Sequence, residues 1–245
     1  MSVNECAELV RRGDPDRFRS AMAAPPAARG VLFPLYAFNL EIARAPWMTQ
    51  EPMIAEMRLQ WWRDALDEIA AGKTPRRHEV VTPLAQVLDA EGAGILDCAV
   101  AARRWDIARE PFASDAQMRA YLEDSAGGLM WAAARALGAR DEAAVRALGY
   151  AGGLAAWLVA VPALQARGVR PLVDPSEEAI RTLAADALDG IERVSRPARP
   201  AALAASEAAP ILARAVAEPA RVETGTLARS ETRRRLRLIR LAISG

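Results

Sequence analysis

The chain has 245 residues and a formal net charge of +1, so the whole molecule lacks the electrostatic footprint of a nucleic-acid binder. Apolar residues make up 52% and aromatic residues only 5%. Alanine-rich helices around one large core fit that composition, and a sheet does not. No internal linker or fixed-period repeat divides residues 1–245, which read as a single all-α domain.

The first twelve residues carry Glu5 and Glu8 and show no apolar h-region, so they do not read as a secretory signal. Asp14-Pro15 reads as an N-cap followed by proline at the first helical position and opens a helix over 14–23. The next segment is 28–44. Pro46, Thr49 and Pro52 then break the chain before a helix over 50–72, where apolar residues recur at helical spacing and Asp64, Asp67 and Glu68 take the polar side. Thr82-Pro83 opens a segment over 82–109. Ser114 with Gln117 resembles a capping box and opens 114–137, which Gly138 stops. The segment 141–167 is stopped by Gly168, and Asp174-Pro175 opens 175–195. The stretch from Arg196 to Pro200 reads as a loop before a helix over 199–217, and a last helix covers 225–243. No uninterrupted apolar run is expected to reach the roughly 18 residues of a spanning helix. The chain is therefore expected to be cytoplasmic, at most peripheral to the inner face of a membrane.

Few residues offer chemistry. His78 is the sole histidine and lies in a polar loop, Thr74 to His78, where a solvated side chain is expected. That weighs against a Ser-His or Cys-His system and a histidine metal site. Cys6 and Cys98 fit no ligand or redox spacing. No phosphate loop or dinucleotide fingerprint is present, and Gly149, Gly152 and Gly153 fit close helix packing instead. The pairs Asp64 with Glu68 and Asp106 with Glu110 each share a helix face. Either could hold magnesium, or could be a solvated face paired with Arg63, Arg103, Arg104 and Arg109. Trp61 and Trp62 could form a pocket wall or core. Near the end, Arg233, Arg234, Arg235, Arg237 and Arg240 interleave with Leu236, Leu238, Ile239, Leu241 and Ile243. That pattern suits an anionic membrane surface, a protein partner or an ordinary terminal helix.

Several motifs together resemble the squalene/phytoene synthase family. They are Asp14-Pro15-Asp16-Arg17-Phe18, Leu35-Tyr36-Ala37-Phe38, Arg58-Leu59-Gln60-Trp61-Trp62-Arg63 and the stretch from Tyr121 to Gly127. The likeness runs to about Pro171 and is loose beyond it. It implies an isoprenoid-synthase-type helical bundle with a central cavity. Active members carry Asp-Asp-x-x-Asp after the Tyr-Ala-Phe run, and the resemblance places those acids at Ala43, Arg44 and Trp47. The second acidic element corresponds to Val159, Ala160, Ala163 and Leu164, and an upstream asparagine to Ala156. Both metal-binding elements are thus missing, no cofactor is expected, and no catalytic residue is assigned. Asn39-Leu40-Glu41 and Val161-Pro162 look most like a degenerate branch that includes a mitochondrial complex I assembly factor.

The resemblance implies a non-catalytic protein of binding or respiratory-complex-assembly type, with an apolar or prenyl ligand held among Tyr36, Asn39, Arg58, Trp62, Tyr121 and Trp157. The alternative is a working head-to-head prenyltransferase whose magnesium ligands have moved to Glu41, Asp64, Glu68 and Asp106. Partners expected through the last helix are a protein or an anionic membrane surface.

Overall fold

The computed structural model describes residues 2–244, and no strand occurs among them. The helices are those the punctuation marks, with shifts that have local causes. Asp14 caps Pro15–Ala23 by accepting the Arg17 N–H at 3.0 Å. Ser114 accepts the Gln117 N–H at 3.2 Å and opens a run over 115–136. Within that run Glu123–Gly127 is π-helical, the kind of bulge that re-aims a helix inside a core.

An additional helix, Val3–Gly13, precedes the first expected one. Its signal was present: Ser2 with Glu5 forms a capping box, and Cys6 and Val10 bury at helical spacing. The expected segment 82–109 is three pieces, Val81–Leu84, Ala90–Ala102 and Trp105–Ala108. Asp89 restarts the second by accepting the Gly92 N–H at 2.8 Å, and Arg109, at φ 55°, ends the third in the left-handed region. Ser176, not Asp174, caps Glu177–Asp189, while Asp174 accepts the Ser176 N–H. The stretch 199–217 is broken at Leu203–Ala205 before Ala208–Ala217. Gly138 (φ 93°) and Gly168 (φ 79°) do end their helices.

One contiguous core runs through the whole bundle. At its centre lies Glu142–Gln165, which packs on Glu123–Gly127, Gly128–Ala136, Glu177–Asp189 and Ala208–Ala217. By length and hydropathy this helix could cross a membrane, contrary to the expectation that no such run exists. Within the bundle its Tyr150, Leu154, Leu158 and Val161 are core residues. The glycines let it approach its neighbours closely. A Cβ at Gly149 would stand 2.8 Å from the Gly127 Cα, and one at Gly153 would stand 2.6 Å from the Ala126 Cβ. Neither fits without displacement, so glycine here is a packing requirement.

Candidate functional site

A cavity of about 360 Å³ opens inside the bundle, within the size range of small-molecule pockets. Its inner wall is small and apolar: Ala126, Leu129, Gly152, Gly153, Ala155 and Val159. Tyr36 reaches it from Pro26–Arg44, buried and with its hydroxyl lacking a hydrogen-bond partner. Burial pushes that hydroxyl up to about 12, so Tyr36 is a neutral donor at any physiological pH.

Charge gathers at the mouth in pairs. Arg17 binds Asp14 at 3.0 Å, Arg229 binds Glu207 at 3.1 Å, and Arg19 and Arg234 both bind Asp16. The last helix, Glu231–Ser244, lies across this mouth. Arg234, Arg235 and Leu238 line the cavity from it, and the Arg237 Nε donates to the Ser206 carbonyl at 2.5 Å. The ion pairs that hold the helix are partly exposed, and each is worth about 1 kcal/mol at most.

The positions that the resemblance assigns to the family's metal ligands carry no carboxylate. Val159 and Ala156 line the cavity. Trp47, in the short turn Ala45–Trp47 after Pro26–Arg44, has two guanidiniums near its ring: Arg109 is 3.9 Å and Arg167 5.2 Å from the centroid. Each such contact stabilises by about 0.5–1 kcal/mol at a partly exposed site. A magnesium ion needs several oxygen ligands, and these residues offer it none. The residues present do not fit the ion.

The alternative ligands do not regroup. Glu68 is taken by Arg76 at 2.7 Å, and Asp64 accepts from Gln60 at 2.8 Å on an exposed face. Asp106 is buried, accepts from the Tyr121 hydroxyl at 3.1 Å and pairs with Arg103 at 3.4 Å. Burial raises its carboxyl, which Arg103 partly offsets. Glu41 is half-buried on Pro26–Arg44. Among the described residues no three His, Cys, Asp or Glu side chains form a metal-binding group.

Of the six residues expected to line a cavity, Tyr36 does so. Asn39 is buried with its Oδ1 unpartnered but away from the cavity lining. Arg58 is exposed, beside the Met48 sulfur at 3.6 Å. Trp62 is core, edge-on to Phe38 and Trp61. His78 is half-buried rather than solvated, tilted against Trp61 and edge-on to Trp62, with ring centroids 5.1 and 5.3 Å away. Tyr121 and Trp157 meet Trp105 and Phe112 in an aromatic cluster where Trp105 stacks on Phe112 at 4.3 Å, and the Trp157 Nε1 donates to the Pro171 carbonyl at 2.8 Å. That cluster leaves neither ring for the cavity wall. The small residues that do form the wall carry no chemical signature in sequence, only the alanine and glycine spacing of Gly149 to Val159.

Comparison with known proteins places this geometry. Residues 10–168 match the squalene/phytoene synthase family. A curated protein of Drosophila melanogaster, named NADH dehydrogenase (ubiquinone) complex I, assembly factor 6 homolog, is 30% identical over 170 residues, 65% of this chain and 51% of that protein. The Bos taurus complex I assembly factor 6 is 25% identical over 173 residues, 64% of this chain and 48% of that protein. The chain thus spans about half the length of these curated relatives. A crystal structure of a dehydrosqualene synthase in complex with ligand superposes with a TM-score of 0.73 at 13% identity, covering 99% of this chain and 95% of the other. At that identity the likeness concerns the fold, an isoprenoid-synthase-type helical bundle.

Proposed function

Since the chain belongs to the squalene/phytoene synthase family, we propose that it is a non-catalytic member, a binding protein of the respiratory-complex-assembly type. The observation that carries this reading is the loss of every carboxylate at the positions matching the family's metal ligands. Ala43, Arg44 and Trp47 stand at one helix end, and Val159, Ala160, Ala163 and Leu164 along the other helix. Ionising a diphosphate requires strong charge stabilisation of the leaving group. The inner wall of alanine, glycine and valine supplies no metal ligand, and the arginines at the mouth are already paired with carboxylates, whereas the same wall suits an apolar or prenyl chain. The names of the Drosophila and bovine relatives support a protein partner met during assembly of a respiratory complex. The proposed location is the cytoplasmic side of a membrane, with no cofactor bound.

Calorimetric titration with farnesyl diphosphate, with and without magnesium, tests this reading. The expected result is binding that magnesium leaves unchanged and no release of diphosphate. Val159→Trp, which fills the cavity from its wall, should abolish the binding. Magnesium-dependent turnover lost in both Asp64→Ala and Asp106→Ala would establish the working prenyltransferase instead.

A further inference from the structure

Among described helices of eight residues or more, Glu231–Ser244 alone buries none of its side chains. Its two faces nevertheless differ. Arg234, Arg237, Leu238 and Ala242 turn inward; Leu238 reaches the cavity and Arg234 meets Asp16. Leu236, Ile239 and Ile243 turn outward, 62%, 53% and 80% exposed. At 3.6 residues per turn these three form one stripe, with Arg235 along one edge and Arg233 and Arg240 along the other. An apolar stripe edged on both sides by arginine is the pattern of a helix lying in the plane of an anionic bilayer surface, its side chains among the headgroups.

We propose that Glu231–Ser244 is a lid over the cavity, and that an anionic lipid surface is what opens it. Lipid phosphates compete for the guanidiniums that hold the helix down, Arg234 on Asp16 and Arg237 on the Ser206 carbonyl. Asp16 stays behind on the rim with Arg19, as Asp14 does with Arg17 and Glu207 with Arg229, so no carboxylate is left bare when the helix lifts. The chain is fixed up to the hinge: Arg214 holds the Thr226 and Ala228 carbonyls, and Arg229 holds Glu207. Movement therefore starts at Ser230. A helix held only by partly exposed contacts sits at the low end of local stability, where such opening is expected. The outer face binds and the inner face releases, so the cavity mouth is uncovered at the membrane.

The test uses the full chain with Cys98→Ser, to remove the exposed thiol, and Ala155→Cys, to place a reporter in the buried cavity wall. Val159→Cys is a second reporter should the first perturb packing. Two quantities are read, co-sedimentation with vesicles and the rate of maleimide labelling. Vesicles rich in phosphatidylglycerol should carry the protein down and speed labelling about tenfold or more, as local opening requires. Vesicles of phosphatidylcholine alone should do neither. Leu236→Asp with Ile239→Asp, both on the outer face, should lose both effects, and Arg234→Met should speed labelling without vesicles. Sedimentation without faster labelling, no sedimentation at all, binding retained in the double variant, or an unchanged rate in Arg234→Met each overturns the proposal. A stripe that takes only a protein partner gives the second of these results. No prenyl ligand enters the assay, so its failure and that of the ligand-holding reading are separate results.

Discussion

The central helix and the last helix of this chain make contacts at opposite extremes. Glu142–Gln165 is pressed so tightly on Glu123–Gly127 that a single methyl at Gly149 would sit 2.8 Å from backbone. Glu231–Ser244 rests on its neighbours through ion pairs, one carbonyl and Leu238. Both surround the same cavity. The fixed wall is made of backbone and small side chains, and the cover is made of arginines. Rigidity is concentrated where shape must be kept, and looseness where something must pass.

Substitutions should separate the two contacts cleanly. Leu158→Ala empties a fully buried position on the central helix and should lower stability by about 2–5 kcal/mol, measured by urea unfolding. Gly149→Ala forces the close approach apart and should cost about 1–3 kcal/mol. A neutral result there would mean that the helices stand further apart than described. Acid should act on the periphery only. Hydrogen bonds from Arg135 hold the Asp89 carboxyl below its usual range, and those from Arg76 do the same for Glu68. Folded values below unfolded ones mean stability that is present above roughly pH 4 and lost as pH falls through the folded values. Thermal midpoints should therefore drop on acidification below about pH 4, and less so in Arg135→Met. The smallest effect belongs to the cover. Arg234→Met should change global stability by under about 1 kcal/mol, while amide exchange within Glu231–Ser244 accelerates. A large global loss would place that helix in the core after all.

Thiol chemistry offers one further check on the interior. Burial pushes the Cys6 thiol up to about 12, whereas Cys98 is exposed. Iodoacetamide at neutral pH should modify Cys98 and leave Cys6 intact in the folded protein. Modification of both at equal rates would mean that Val3–Gly13 is detached from the body.

The helical plan could be read from proline, glycine and capping residues because those act locally, through one hydrogen bond or one dihedral angle. Asp14, Ser114, Gly138 and Gly168 each act where their type predicts. Part of what escaped was local, as at Asp89, and the rest depends on contacts distant in the chain. The break at Asp89 looks like an ordinary polar residue in a helical window until its carboxylate is seen on the Gly92 N–H. The burial of His78 follows from Trp61 and Trp62, which no local pattern brings to it. Tyr121 and Trp157 share a helical bundle with the cavity, yet Trp105 and Phe112 claim them first. The cavity wall itself was the least visible part, since alanine and glycine mark close packing and empty space alike.

The ring of Trp47, with Arg109 and Arg167 on it, decides what a redesign of this region could achieve. An aspartate placed at that position would not give a divalent ion a ligand, because two guanidiniums already stand within reach to neutralise it. Building a metal site here would need both arginines removed as well as acids introduced on two helices.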